Sequence, residues 1–250
     1  MSSFEITEVG AASSTAYLVH TAAVNWVLLR DDSRITLIDG GYPGNADDVV
    51  ASIESIGAHP TDIRAALLTH AHVDHIGGLA KLVDRFGFPV FVDPAEVAHA
   101  HRDLLQQAGP LDIAAVAWQP RAWRWLAMVT PLGVLSRAGI ATAQPFSTDG
   151  ALDLPGRPQP VVAHGHTDGH SAFLVADDAV LVSGDALISG HPLSGHQGPQ
   201  LLPRFFNHDD AATRRSVESF TDLDATVLFP GHGPRLDGPV AELAREALAR

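Results

Sequence analysis

The stretch "LLTHAHVDHIGG", residues 67–78, sets three histidines and an aspartate within the six positions from His70 to His75, directly after a short apolar run. His70, His72 and Asp74 are spaced by two. In an extended segment leaving a strand their side chains project to one side, and His75 follows on the other side as a helix begins. Imidazoles and a carboxylate so placed suit one or two borderline metal ions such as zinc. The spacing differs from the His-Glu-x-x-His helix of zinc proteases, whose histidines lie four apart. With 14 histidines in 250 residues, a His-x-His-x-Asp-His string arises by chance in roughly 4 sequences per thousand. The string alone is a strong pointer to metal, and the rest of the chain has to decide it.

Around this segment strands and helices alternate. "AYLVHT" (16–21), "VNWVLLR" (24–30) and "ITLIDGG" (35–41) read as antiparallel strands, the last ending at Asp39 before a glycine pair. Asn45 is a candidate N-cap for a helix that places Val49, Ile53 and Ile56 on one face and stops at Gly57. "IRAALLT" reads as a buried strand entering the histidine cluster, "IGGLAKLVDRFG" as a helix and "PVFV" as a strand, a β-α-β-α-β rhythm. From Pro94 to about Gln144 the chain becomes helical, with several prolines. Strands resume at "QPVVAH" (159–164), "SAFLVA" (171–176) and "AVLVSGD" (179–185), followed by a His/Gly/Pro loop. A helix near 209–221, the strand "ATVLFPGHG" and a helix from about 239 close the chain.

Three further ligand-type residues stand at strand ends beside glycines: His166 in "HGHTDGH", Asp185 in "VSGDAL" and His232 in "LFPGHGP". With the first string and Asp39 in "LIDGG", these make five ordered motifs over nearly the whole chain, and the sequence resembles the metallo-β-lactamase superfamily. The resemblance implies an α/β fold, a four-layer αββα sandwich forming one domain over 1–250, with the helical insertion at about 94–144 as a lid or a dimer element. It implies one ion on His70, His72 and His166, a second on Asp74, His75 and His232, and Asp185 bridging both. Asp39 would sit beneath the ligand loop and orient it. The cofactors implied are two divalent ions, zinc first, with iron or manganese as the alternatives. His164 and Asp168 depart from the usual family residues around "GHT", and neither removes a ligand. Asp168 reads as a solvated turn residue rather than an acceptor for His166. Two ions about 3.5–4 Å apart bring the pKa of a bridging water to near 7, so no Ser or Cys nucleophile is needed. Asp74 would be the catalytic carboxylate, orienting that water and moving its proton.

Composition narrows the partners. The formal charge of −13, from 29 acidic and 16 basic residues, repels a phosphate backbone, so nucleic acid is not expected as a partner. Without cysteine there is no disulfide or thiolate, and any metal must be held by nitrogen and oxygen. "MSSFEITEVG" has no secretory character and no apolar run is long enough to cross a bilayer, so no membrane insertion and a cytoplasmic location are expected.

His20, His59, His99 and His101 read as structural or surface residues, His170 as a hydrogen-bonding residue, and His191, His196 and His208 as loop residues near the rim. Leu111, Ala115, Trp118, Ala122, Trp125, Val129 and Leu132 form an apolar stripe that Pro120 and Pro131 should divide. It reads first as a seam against the sandwich or against a second subunit in a homodimer. The sharper reading makes Trp118, Trp123, Trp125 and Met128 a wall over the metals that favours an apolar small-molecule substrate. The function expected is metal-dependent hydrolysis of an ester, lactone or related carbonyl bond, lactonase-like first. The alternatives are a mononuclear iron enzyme similar to persulfide dioxygenases, a β-lactamase, a thioesterase, or a binding module without catalysis.

Overall fold

Apolar side chains occupy both faces of the strands around the histidine cluster, and the fold buries both. The computed structural model describes residues 4–12 and 14–250, with the side chains of Pro110 and Leu111 outside the description. One sheet runs β1 (Phe4–Gly10), β2 (Thr15–Thr21), β3 (Trp26–Asp31), β4 (Arg34–Ile38), β5 (Ile63–Leu67), β6 (Val90–Val92), β7 (Gln144–Pro145), in that spatial order. The first four strands form an antiparallel meander, and from β4 onward the pairing is parallel. Parallel neighbours need crossovers, supplied by α1 (Ala46–Ser55) and α2 (Val73–Phe86). Between β6 and β7 the insertion carries α3 (Val97–His101), α4 (Pro110–Val116) and α5 (Pro120–Val129).

The second half contributes β8 (Gln159–Val162), β9 (Ser171–Val175), β10 (Val180–Gly184), a hairpin of β11 (Ile188–Gly190) and β12 (Gln197–Gln200), then β13 (Val227–Pro230) and β14 (Leu236–Asp237). The second sheet has the order β14-β13-β10-β9-β8, and α6 (Asp210–Ser219) and α7 (Val240–Leu248) cover its outer face.

Successive side chains on a strand point to opposite faces. Val19 and Leu28 therefore pack with Val49, Ile53, Ile76 and Leu79 of the first helical layer. Their neighbours Leu18, Val27 and Leu29 meet Phe173, Val182 and Phe229 of the second sheet. Leu174, Leu181 and Leu228 face Val217, Val240 and Ala244. These three apolar seams define four layers, α, β, β and α, as expected. Each fully buried aliphatic or aromatic side chain in them is worth about 1.5–3 kcal/mol.

Several local expectations need correction. β1 is an edge strand outside the strands read from the sequence, although Phe4, Ile6 and Val9 are set among polar residues in the alternating manner of a half-buried strand. The loop after Asp185 contains the β11/β12 hairpin, two very short strands interrupted by glycine. Helix α2 begins at Val73 with His72 as its N-cap, so only His70 and His72 leave the strand in extended backbone. Asp74 reaches the site from the first helical turn. That turn approaches the Asp39 loop so closely that a Cβ on Gly78 would run into the Gly40 carbonyl oxygen. Asn45 sits at the N-cap of α1, but its side-chain oxygen accepts from the Tyr42 N–H instead of capping the helix.

The stripe in the insertion divides at Pro120. On α5, Ala122, Trp125 and Val129 are buried against Val24, Tyr42, Val73 and Leu193, a seam on the sandwich. Before Pro120, Ala115 and Trp118 are exposed, and Leu111 lies outside the described side chains. Helix α5 ends at Val129, just short of Pro131.

Candidate metal centre

The residues expected at the site lie beyond strand ends or, for Asp74 and His75, in the first turn of α2. Asp39 follows β4, His70 and His72 follow β5, and Asp74 and His75 open α2. His166 follows β8, Asp185 follows β10 and His232 follows β13. Three triads result: His70, His72 and His166; His70, His75 and Asp185; and Asp74, His75 and His232, with the donor atoms of each lying within 4.8 Å of one another. Asp185 is central. Its Oδ2 lies 3.3 Å from His232 Nε2 and 3.5 Å from His166 Nε2, and its Oδ1 lies 3.4 Å from His75 Nε2. A Cβ on Gly231 would collide with Asp185 Oδ1, so glycine there lets β13 pass beneath the carboxylate.

The outer nitrogen of each histidine decides what the inner one can do. His75 Nδ1 donates to Asp39 Oδ2 at 2.8 Å, and His232 Nδ1 donates to the Ala23 carbonyl at 2.8 Å. His166 Nδ1 donates to Asn207 Oδ1 at 2.9 Å, and the Asn207 amide is oriented by donating to Asp210. His72 Nε2 donates to the Gln106 carbonyl. Thr69 Oγ1 gives its proton to Asp39 Oδ2 at 2.7 Å and accepts from His70 Nδ1 at 3.1 Å. Each of the five imidazoles is thereby held with its inner nitrogen aimed into the site, where it offers a lone pair once that nitrogen is unprotonated.

Three observations fit this site to cations. His70 Nε2, His75 Nε2 and Asp185 Oδ1 are buried without a hydrogen-bond partner among the described residues. His72 Nδ1 and His166 Nε2 face each other at 2.9 Å while the other nitrogen of each ring faces an oxygen, so either a proton or a metal ion has to stand between them. Among the described residues no Lys or Arg pairs with Asp39, Asp74 or Asp185. Nitrogen and oxygen donors of this mix suit borderline divalent ions.

The protein's own electrostatics divide the site. Burial, and then the neighbouring imidazoles, hold His70 and His72 well below the usual histidine range, and burial also lowers His166. Burial opposes charge at His75 and His232 too, but Asp185 and nearby carboxylates outweigh it. His75 is held well above its ordinary value and His232 is pushed up to about 10. Burial would raise Asp74 and Asp185, yet His75 and His232 keep both below the ordinary carboxylate range. Tyr42 is pushed up by burial, then by Asp74 and Asp185, and stays a neutral phenol.

Sequence reading missed a second tier. Glu96, fully buried, accepts from the Ala71 N–H at 2.7 Å and from His99 Nδ1 at 2.8 Å through Oε1. Its Oε2 accepts from Thr167 Oγ1 at 2.7 Å and the Gly169 N–H at 3.1 Å. One carboxylate thus ties the 70–72 loop to the 166–169 loop. His99 Nε2 in turn accepts from the Gln106 N–H at 3.4 Å. Asp168 takes the Gln106 amide on its Oδ2 at 2.6 Å and gives its own N–H to Gln106 Oε1 at 3.0 Å. It therefore clasps Gln106 and does not serve His166. His170 Nε2 accepts from the Asp185 N–H at 3.0 Å, the hydrogen-bonding role expected of it.

A cavity of about 500 Å3 opens over the triads. Trp125 lines it, but Met128 lines a neighbouring depression, and Trp118 and Trp123 face outward, 80% and 63% exposed. The expected four-residue wall is corrected to Trp125 alone: α5 buries the face that carries Ala122, Trp125 and Val129, which leaves Trp123 outward, and Trp118 lies in the turn between α4 and α5. His191, expected in a solvated loop, is buried at the metal end of the cavity with its ring 5.1 Å from that of His232. Its Nδ1 accepts from the Leu193 N–H at 3.1 Å, which leaves the proton on Nε2.

The profile of the Metallo-beta-lactamase superfamily matches residues 21–232, and the chain belongs to that family. It is similar to a probable metallo-hydrolase, YflN, of Bacillus subtilis, with 25% identity over 88% of this chain and 83% of the relative. It is also similar to a hydroxyacylglutathione hydrolase of Xanthomonas campestris, with 33% identity over 66% of this chain and 46% of the relative. Among solved structures, a metallo-beta-lactamase family protein from Thermus thermophilus superposes with a TM-score of 0.64 at 23% identity, over 100% of this chain and 79% of the other. The Rm3 metallo-beta-lactamase gives 0.64 at 19% identity, over 96% and 90%. These two structural likenesses carry the fold alone. Family membership and the buried His/Asp cluster together support a metal-dependent hydrolase. Among the described residues no helix is long and apolar enough to cross a membrane.

Proposed function

We propose that this chain is a dinuclear zinc hydrolase that opens a small-molecule ester, lactone or related carbonyl bond, lactonase-like in substrate, within one domain whose insertion forms a lid. The observation that carries the reading is the set of five imidazoles, each fixed by its outer nitrogen so that the inner one faces the donors around Asp185. His70, His72 and His166 would hold one ion and Asp74, His75 and His232 the other, with Asp185 shared and Asp39 orienting His75. Two bound divalent ions would supply Lewis acidity and a water ionised near neutral pH.

The protein's own groups supply the remainder. Asp74, kept ionised by His75 and His232, orients the attacking water and accepts its proton. The water oxygen bonds to the acyl carbon, the acyl–oxygen bond breaks, and the proton passes from Asp74 to the departing alkoxide. His191 presents Nε2–H into the cavity, where it can hydrogen-bond the acyl oxygen as negative charge grows there. The lid assignment rests on α5, which packs on the sandwich, and on Leu105, Ile113 and Leu126, insertion residues that line the cavity.

The test is metal quantification on protein purified without added metal, followed by a lactone, thioester, phosphodiester and β-lactam panel. Two zinc ions per chain with lactone hydrolysis are expected. One iron per chain with oxygen uptake would replace this reading by an iron oxidoreductase.

A further inference from the structure

The metal-end carboxylates and the wall opposite them differ in chemistry. Away from Asp74 and Asp185 the cavity is lined by Leu105, Ile113, Leu126 and Val134, and its lining holds a single Lys or Arg, Arg137. No carboxylate lies within 4.0 Å of that guanidinium among the described residues. The insertion around it is charged unlike the rest of the chain. Residues 113–148 contain Arg121, Arg124 and Arg137 and no Asp or Glu, in a protein with 29 acidic residues. Arg121 and Arg124 line a second depression of about 440 Å3, and Trp125 forms part of the wall of both hollows. Arg121 is already engaged, its Nη1 donating to the Leu193 carbonyl at 3.1 Å. Arg137 is not.

A net charge of −13 repels anions at long range, and a local cationic face at the cavity reverses that field where a substrate would enter. A free guanidinium offers a two-pronged donor that matches a carboxylate, and an apolar wall takes hydrocarbon. We propose that the cavity takes a monoanionic amphiphile, an ester or lactone whose hydrocarbon body lies along the insertion and whose distal carboxylate is held by Arg137. This assignment deepens the hydrolase reading above and rests on it. It also separates this site from one for a glutathione thioester, whose two carboxylates would call for more than one lining cation.

Two esters that differ only at the far end of the acyl chain test it on the zinc-loaded enzyme: 4-nitrophenyl hexanoate and the mono-4-nitrophenyl ester of adipic acid. The wild type should favour the adipate ester by about tenfold or more in kcat/KM at low salt, with the preference shrinking as salt rises. Arg137→Met should bring the ratio of the two specificity constants close to one, and Arg137→Lys should restore part of it. A wild-type preference for hexanoate, or an unchanged ratio in Arg137→Met, overturns the assignment.

A second readout needs no turnover. Fluorescence titration with the anionic amphiphile 1-anilinonaphthalene-8-sulfonate and its uncharged analogue N-phenyl-1-naphthylamine should show about tenfold loss of affinity in Arg137→Met for the anion only. Equal losses for both dyes refute an anion-binding role. If neither ester is hydrolysed, the ester reading of the active site fails, and the dye pair still decides whether Arg137 binds the anion.

Discussion

Replacing Glu96 by leucine removes four hydrogen bonds at a fully buried position with little change in volume. The Ala71 and Gly169 N–H groups, at 2.7 and 3.1 Å from the carboxylate, are fixed by the backbone and cannot turn elsewhere. Thr167 Oγ1 can rotate, so its bond is lost at lower cost, whereas His99 can shed its Nδ1 proton to Nε2 only by giving up the Gln106 N–H bond there. Two orphaned buried donors cost about 1–3 kcal/mol each. Relief of burying an ionised carboxylate acts in the opposite direction. A net loss of about 2–4 kcal/mol is expected, a large part of the about 5–15 kcal/mol that keeps a domain folded. Because the same carboxylate joins the loops bearing His72 and His166, zinc affinity at that triad should also fall, by about 10–100-fold. Urea denaturation of the metal-free protein and competition with a chromophoric chelator measure the two effects separately. A stability loss below about 0.5 kcal/mol with unchanged zinc affinity would show that Glu96 does not hold these loops.

Asp74→Ala should lower turnover by about 10²–10⁴-fold with the fold intact by circular dichroism; near-normal turnover would remove Asp74 from the role of proton carrier. His191→Phe, which keeps the ring packing, should cost about 10²-fold in kcat with two metals still bound, and His191→Gln should recover part of it. Metal uptake near neutral pH should release protons, because His75 and His232 are held protonated by Asp185 and its neighbours until an ion replaces the protons. Since the folded-state value of His232 is raised, its stabilising contribution to the metal-free protein is complete below the unfolded value of about 6.5 and is lost as pH rises through about 10. Metal loading that releases no protons from a weakly buffered sample would contradict this. Trp118→Ala and Trp123→Ala should each change kcat/KM less than about twofold, the range of ordinary surface substitutions, and a larger loss would return those indoles to the substrate wall.

The legible part of this protein was periodic or clustered. Short apolar runs bounded by turn residues marked most strands, and His70 to His75 marked the site, because ligand residues near a strand end form a compact string. Other features depend on contacts between distant segments. Glu96 meets Thr167 and Gly169 across 71 and 73 residues, and nothing in "PAEVAHA" signals such partners. Asp168 looks like a turn residue because its role depends on Gln106, 62 residues away. Trp118 and Trp125 share one helical stripe in sequence, but Pro120 restarts the helix, so the two halves of the stripe take different faces. Short strands such as β11 and β14 left no pattern long enough to read.

The segment from Leu105 to Gly109 serves two tasks at once. The Gln106 carbonyl fixes the ring of His72, while Leu105, Gln107 and Ala108 line the cavity. A lineage that reshaped this wall for a new substrate would shift a metal ligand by the same backbone movement. Selection for specificity here is therefore also selection on cofactor retention, and improved variants should carry compensating changes at Asp168 or His99, the two side chains that anchor Gln106.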